Sequence, residues 1–451
     1  MRRFAIATSN NRLVGAGAVT YQEAPTTCSV HSDCSTSGGT PESSRCVSGI
    51  CTHEHLSYVS GSFGMAGGSF TYPAGELGPG PVTINYGGTH NTYRYVGNTR
   101  SNSSYNWLLG QSLSYVNRSF SGVTAADAIA MDYGGRIDNT LTTIAAGNDA
   151  NIPGSQVKCG SPSWNVLCVG MYRYETYNNG STHRRHSLGT YLNLSSPAGQ
   201  ERPHLLGPGS HQESDGFWMP NIQAGAGMVS TFLNGGQIVG SSFAAPEILS
   251  MGMQTQLYEG LFSLMWYPVM KKAVLMASSQ DSNADGQIGK GTTWTSSPDG
   301  EDGAGHPHLL YAKQILDNNR YALLSLTNSS FVSCGANCRE YTYGSISVPA
   351  FKTLRVAMAY NSCVSAFGGP DNLSNDLDLV VFQPPFPIGW CGGSAIQSVS
   401  ANNEVEMVYD SCLSSGGSGN YTVKVRIKNG ANLALCGSES WENVALAWSI
   451  R

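Results

Sequence analysis

Hydrophobic positions in this chain come in two textures. Up to about residue 325, short apolar runs of strand length alternate with longer helix-like stretches. Leu113 to Phe120 reads as a strand and Thr124 to Tyr133 as a helix. Leu141-Thr142-Thr143-Ile144-Ala145-Ala146 is a short buried strand ending at Gly147-Asn148, and Asn165 to Gly170 is another. A helix is expected from Ser242 to about Tyr258. Pro268 opens a second one, Val269 to Ala277, because the first helical turn tolerates proline best. This alternation predicts an α/β fold with a mostly parallel sheet flanked by helices. Nearer the start, one short strand is expected at Ala18 to Tyr21 and a small, tightly packing helix from His55 to Gly64. Between them lies a loop rich in Cys, Gly, Ser and Pro.

Beyond about residue 325 the texture changes. Ser345 to Val348, Leu354 to Ala359, Leu377 to Phe382 and Tyr421 to Ile427 are strand-like runs separated by Gly, Pro and Asn. They predict an all-β C-terminal sandwich, residues 326–451, after an α/β domain, residues 1–325, that carries the cysteine-rich loop 28–51. A chain of 451 residues is long enough for two such units.

Charge narrows the classes of partner. Only 12% of residues are charged and the formal net charge is -5, so no nucleic-acid or polyanion partner is expected. No apolar run approaches the roughly 20 residues that span a bilayer, so no membrane partner is expected either. The twelve cysteines fall in local groups: Cys28, Cys34, Cys46 and Cys51; Cys159 and Cys168; Cys334 and Cys338; Cys363 and Cys391; Cys412 and Cys436. An even count without paired zinc knuckles favours disulfides in an exported protein over a metal site. Met1-Arg2-Arg3-Phe4-Ala5-Ile6-Ala7 is too short for a signal peptide. Export then implies a signal or propeptide removed, or lying upstream of Met1.

The chemistry-bearing stretch is Gly240-Ser241-Ser242-Phe243-Ala244-Ala245-Pro246, placed where an apolar approach from Leu233 to Val239 turns into a helix. A serine at a helix N-terminus sits where developing negative charge is favoured. The segment resembles Gly-Thr-Ser-x-Ala-x-Pro, the nucleophile segment of the subtilisin-like serine peptidases (subtilases), with serine in place of threonine at its second position. Ala145-Ala146-Gly147-Asn148 resembles that family's oxyanion segment, and Val116 to Gly122 its substrate-binding strand. Arg202-Pro203-His204-Leu205-Leu206-Gly207-Pro208-Gly209 resembles its Lys-Pro-Asp-x-x-Ala-Pro-Gly segment. Met270 to Ala277 resembles the buried helix behind the nucleophile, and Asn375 to Val381 a strand of the β-sandwich appended to some alkaline subtilases.

The resemblance implies a secreted, monomeric serine endopeptidase acting on polypeptides. Ser242 would be the nucleophile, Asn148 an oxyanion donor, and Ser119, Phe120 and Gly122 the substrate-binding edge. His55 opens His-x-x-x-Val-x-Gly and is the candidate base, with His90 the rival and His53 behind it. No Asp-Ser/Thr-Gly precedes His55, so the acid is Glu23 or Asp33. Acyl transfer of this kind takes no cofactor. Asp281 to Gly286 has the alternating oxygens of a calcium loop but lacks the closing acid, Thr292 standing there, while Asp371, Asp376 and Asp378 form a second acidic cluster. A structural calcium ion is compatible with either, and the sequence specifies no metal ligand set. The altered His segment and missing Asp motif also fit another class, a catalytically silent subtilase-fold binding protein. A glutamate acid would suit a sedolisin-type peptidase, a group expected to carry Asp at the oxyanion position rather than Asn148.

Overall fold

A computed structural model of the chain describes residues 3–9, 12–20, 44–47, 50–53, 69–72, 82–85, 92–94, 96–97, 113–118, 125–149, 159, 163–177, 180–185, 202–211, 238–259, 263–280, 303–364, 371–372, 375–384, 395–398, 404–410, 418–427 and 430–451. The expected helix at 55–64 and the calcium-like loop at 281–286 lie outside these residues.

Seven strands build the first sheet: β1 (Arg3–Ser9), β2 (Arg12–Thr20), β3 (Leu113–Arg118), β4 (Leu141–Ala145), β5 (Val166–Tyr177), β6 (Leu205–His211) and β7 (Ile238–Val239). With two short flanking strands they form a nine-stranded sheet, in which they lie in the order β7-β6-β5-β4-β3-β1-β2. Strands β3, β4, β5 and β6 run parallel, as the apolar runs predicted. The N-terminus differs from expectation. Where one short strand was expected, β1 and β2 form an antiparallel pair, and β1 also pairs antiparallel with β3. The run Phe4-Ala5-Ile6-Ala7-Thr8 has a strand's alternation, which the basic residues before it disguise as a truncated leader.

Pairing places strand ends in register. Arg3 pairs with both Val19 and Arg118, and Ile144 pairs with both Arg118 and Cys168. Strand β2 therefore runs in the same direction as β3 and β4, and all three finish at one edge of the sheet.

Helices α1 (Ala125–Ile137), α2 (Ser241–Glu259), α3 (Pro268–Ser278) and α4 (Leu309–Asp317) accompany the sheet. All of α3 is buried, Lys271 and Lys272 included. The strands C-terminal to α3 account for much of that burial. Strands β8 (Tyr321–Leu326), β9 (Cys338–Val348), β10 (Leu354–Ala359), β11 (Leu377–Phe382), β12 (Val405–Asp410), β13 (Gly419–Ile427) and β14 (Glu442–Ile450) form two antiparallel sheets with two short edge strands. One sheet has the order β8-β14-β10-β12. The other contains β9-β13-β11. Strand β8 begins at Tyr321 and spans the expected boundary at 325/326.

Alternation along these strands decides what each face meets. Ala357, Ala359, Val405, Met407, Ala445 and Ala447 join the core built around α2 and α3. Their neighbours Val356, Met358, Val408, Val444 and Leu446 join a second core with Leu377, Leu379, Val381, Val423 and Val425 of the other sheet. Four of the six residues facing the helices are alanines, so α3 can lie close against this sheet. Disulfides join Cys159 to Cys168, Cys334 to Cys338 and Cys363 to Cys436. Cys363 thus pairs across a separation of 73 residues rather than within its local sequence group.

Candidate active site

Strand β4 ends at Ala145, and Gly147 comes two residues later with φ 116°, a conformation that glycine alone adopts without strain. That turn presents Gly147 and Asn148 to the first residue of α2. The Gly147 N–H donates to Ser241 Oγ over 3.0 Å, and Ser241 Oγ donates to Asn148 Oδ1 over 2.9 Å. The Ser241 N–H donates to the same Oδ1 over 2.8 Å. Two donors on Oδ1 fix which way the amide is turned, leaving the Nδ2 protons of exposed Asn148 for a different acceptor.

Ser241 is therefore committed. Its hydroxyl both donates and accepts, and the residue is 1% exposed. Ser242 is half-buried, one residue further into the helix. The helix carries no acidic residue in its first turn, so its N-terminal dipole is not offset locally. Pro246 lies inside α2 and removes the donor that would otherwise close on the Ser242 carbonyl. Behind the first turn, a Cβ at Gly207 would lie 2.8 Å from the Ala244 carbonyl oxygen, so β6 and α2 touch backbone to backbone there. Ala244, Ala245, Ile248 and Leu249 bury the helix against the parallel strands.

The substrate-edge candidates come directly after β3. That strand ends at Arg118; Ser119, Phe120 and Gly122 lie just past it, outside the described residues. Glu23, Asp33, His55 and His90 also lie outside them, and His53 is described only as the end of a short strand. The structure thus joins Asn148 to the start of α2, the helix that contains Ser242. The sequence reading missed Ser241, whose signal was the hydroxyl residue preceding Ser242 in the motif.

A second polar cluster lies at the start of β6, where the sequence resembled Lys-Pro-Asp. Arg202 and His204 are buried there with Lys272 of α3 and Glu404, the residue before β12. Glu404 Oε1 is 3.5 Å from Arg202 Nη1, 3.3 Å from His204 Nε2 and 4.0 Å from Lys272 Nζ. The Cys168 N–H donates to His204 Nδ1 over 3.0 Å, and Arg202 Nη1 lies 3.2 Å from the same nitrogen. An acceptor Nδ1 puts the ring proton on Nε2, facing Glu404. Burial, then the charges of Arg202 and Lys272, hold His204 well below its ordinary 6.5, so the contact with Glu404 is made by a neutral ring. Burial likewise pulls Lys272 down to about 8, against the opposing pull of Glu404 and Asp132.

Residues 88–291 match the model of the subtilase family, Peptidase_S8. No curated protein matches the chain. Among solved structures, the prenylagaramide maturation protease PagA overlaps 50% of this chain and 74% of its own at 17% identity, with a TM-score of 0.32. The PatG macrocyclase in complex with peptide overlaps 58% and 68% at 12% identity and a TM-score of 0.35. A psychrophilic protease, S41, overlaps 50% and 70% at 16% identity and a TM-score of 0.31. Resting on the match over residues 88–291 and on the ordered motifs within it, the assignment is that this chain carries a subtilase-family region.

Proposed function

We propose that the chain is a secreted serine endopeptidase that hydrolyses peptide bonds through an acyl-enzyme on Ser242. The observation that carries this reading is the hydrogen-bonded link from Asn148 to Ser241, which ties the oxyanion candidate to the residue before the nucleophile. Ser242 Oγ attacks the scissile carbonyl carbon while His55 takes its proton. The carbonyl oxygen becomes an oxyanion held by the Asn148 amide and the Ser242 backbone N–H. His55 then gives the proton to the leaving amine as the C–N bond breaks, and a water molecule, activated in the same way, releases the acyl group. Glu23 orients His55.

Support for Glu23 is topological. It lies three residues past the end of β2 at Thr20, and β2 finishes at the same sheet edge as β3 and β4. Asn148 lies three residues past the end of β4. The substrate would lie as an extended strand beside Ser119, Phe120 and Gly122, past the end of β3. We read the two C-terminal sheets as a β-sandwich domain from residue 326 and the protein as a monomer whose chemistry takes no cofactor.

Fluorophosphonate labelling at neutral pH tests the reading. Wild type should label, whereas Ser242→Ala and His55→Ala should not. Absence of label on wild type would remove the peptidase reading. Normal labelling of His55→Ala would transfer the base to His90.

A further inference from the structure

The disulfides among the described residues differ in their surroundings. Cys159–Cys168 is wholly buried, both residues being 0% exposed, and Cys436 of the Cys363–Cys436 pair is 3% exposed. Cys334–Cys338 is unlike them. It closes over a separation of four residues, at the tip of a hairpin made by the short strand Val332–Gly335 and the start of β9. Cys334 and the rest of that short strand are exposed, and Cys338 is half-buried.

Backbone pairing closes the same hairpin. Val332 pairs with Glu340, Ser333 with Arg339 and Gly335 with Cys338. Asn337 makes the turn with φ 59°, a conformation that asparagine adopts more readily than most residues. At the base, Arg339 donates to the Asn328 carbonyl and to Asn432 Oδ1, each over 2.6 Å. Asn328 in turn accepts from the Leu433 N–H over 2.6 Å and donates to the Leu433 carbonyl over 3.1 Å. The entropy that a cross-link removes from the unfolded chain grows with the loop it closes, so this bridge should stabilise least of the three. A bridge that is exposed and adds little to the fold is the kind that exchanges with thiols.

Local charge admits an attacking thiolate. A carboxylate oxygen of Glu340 lies within 4.8 Å of both sulfurs. Lys424 and Arg426 of β13 grip that carboxylate, Arg426 Nη2 lying 3.3 Å from Oε2, so its charge is directed to two cations rather than to the sulfurs.

We propose that Cys334–Cys338 is a thiol–disulfide exchange site, which a low-molecular-weight thiol opens while the fold stays in place. The incoming thiolate bonds to Sγ of Cys334, the exposed member, and the Cys334–Cys338 bond breaks with its electron pair leaving on Cys338 as a thiolate. A second thiol, as thiolate, attacks the attached thiol's sulfur and releases Cys334 as a thiolate. Two thiols are thereby oxidised to their disulfide, and their protons go to the two reduced cysteines.

Reduced glutathione at neutral pH, titrated onto the folded full-length chain, tests this. Free thiols are trapped by alkylation, and each cysteine is followed by peptide mass spectrometry. Cys334 and Cys338 should become glutathionylated or alkylated at least about tenfold faster than Cys159, Cys168, Cys363 and Cys436. A smaller margin, earlier opening of either other pair, or a Cys334–Cys338 bridge that stays closed would overturn the proposal. In a second arm, Cys334→Ser/Cys338→Ser should unfold within about 3 °C of wild type. A larger fall, or failure to fold, would show that the bridge holds the fold and would overturn the proposal equally. Neither readout involves Ser242, so failure of the peptidase reading would leave the result intact.

Discussion

Ser241 differs from threonine by one methyl group, and its hydroxyl is the shared partner of Gly147 and Asn148. Removing that hydroxyl strands the Gly147 N–H and leaves Asn148 Oδ1 held by the Ser241 N–H alone. Ser241→Ala should therefore lose about 1–3 kcal/mol of stability in urea unfolding. Its fluorophosphonate labelling should slow as well, although Ser242 is untouched. Ser241→Thr keeps the hydroxyl and should label nearly as wild type does. Equal labelling of the alanine variant would show that the link to Asn148 does not serve the site.

Lys271 gives a prediction of opposite sign. Its Nζ donates to the Trp266 carbonyl over 3.2 Å and lies 4.5 Å from the Tyr115 ring centroid, yet burial pushes the ammonium down from 10.5 to about 7. Below about 7 the folded chain must carry that charge in its core. Between about 7 and 10.5 the folded lysine has lost its proton while the unfolded one keeps it, so the penalty shrinks as pH rises. Lys271→Met should then be more stable than wild type at pH ~6, by on the order of 2–4 kcal/mol. The advantage should narrow by pH ~9. Urea midpoints at the two pH values measure it, and an advantage independent of pH would contradict the assignment.

At the scale of elements, the close approach of β6 to α2 controls where Ser242 sits. Gly207→Val would drive branched carbons into the Ala244 carbonyl and Ile248, which the present spacing does not admit. The helix start must move. The variant should lose labelling by far more than its loss of helix signal in circular dichroism. Retained labelling would show that the first turn of α2 is adjustable. Much of this level was legible in the sequence. The runs Leu354 to Ala359 and Leu377 to Phe382 coincide with β10 and β11, because short apolar runs of strand length bounded by turn residues have few alternatives. The starts of α2 and α3 were legible from glycine, serine and proline.

What escaped the sequence reading was long-range or concealed by local composition. The β1–β2 pair hid in a basic opening, and the pairing of Cys363 with Cys436 depends on a fold that brings distant loops together. Glu404 gave no local signal at all. Nothing in Asn402-Asn403-Glu404-Val405 says that the carboxylate will meet Arg202 and His204, two hundred residues earlier in the chain.

For the whole molecule, the question is whether the α/β body can fold alone. Helix α3 is buried on every side, and one of those sides is the sheet β8-β14-β10-β12. Ending the chain after residue 320 would uncover the face of α3 that packs against Ala357, Ala359, Ala445 and Ala447. It would also remove Glu404 from Arg202 and Lys272, and leave the Ala277 carbonyl without Ser449 and Arg451. Apolar exposure and the loss of these buried polar contacts act in the same direction here, so neither can compensate for the other. The truncated chain should be insoluble, or should bind a hydrophobic dye and lack a cooperative unfolding transition. Full-length protein should unfold in one transition by calorimetry, because the core around α3 is shared by both regions. Two separated transitions, or a soluble, cooperative fragment ending at residue 320, would show instead that the C-terminal sheets are an independent appendage.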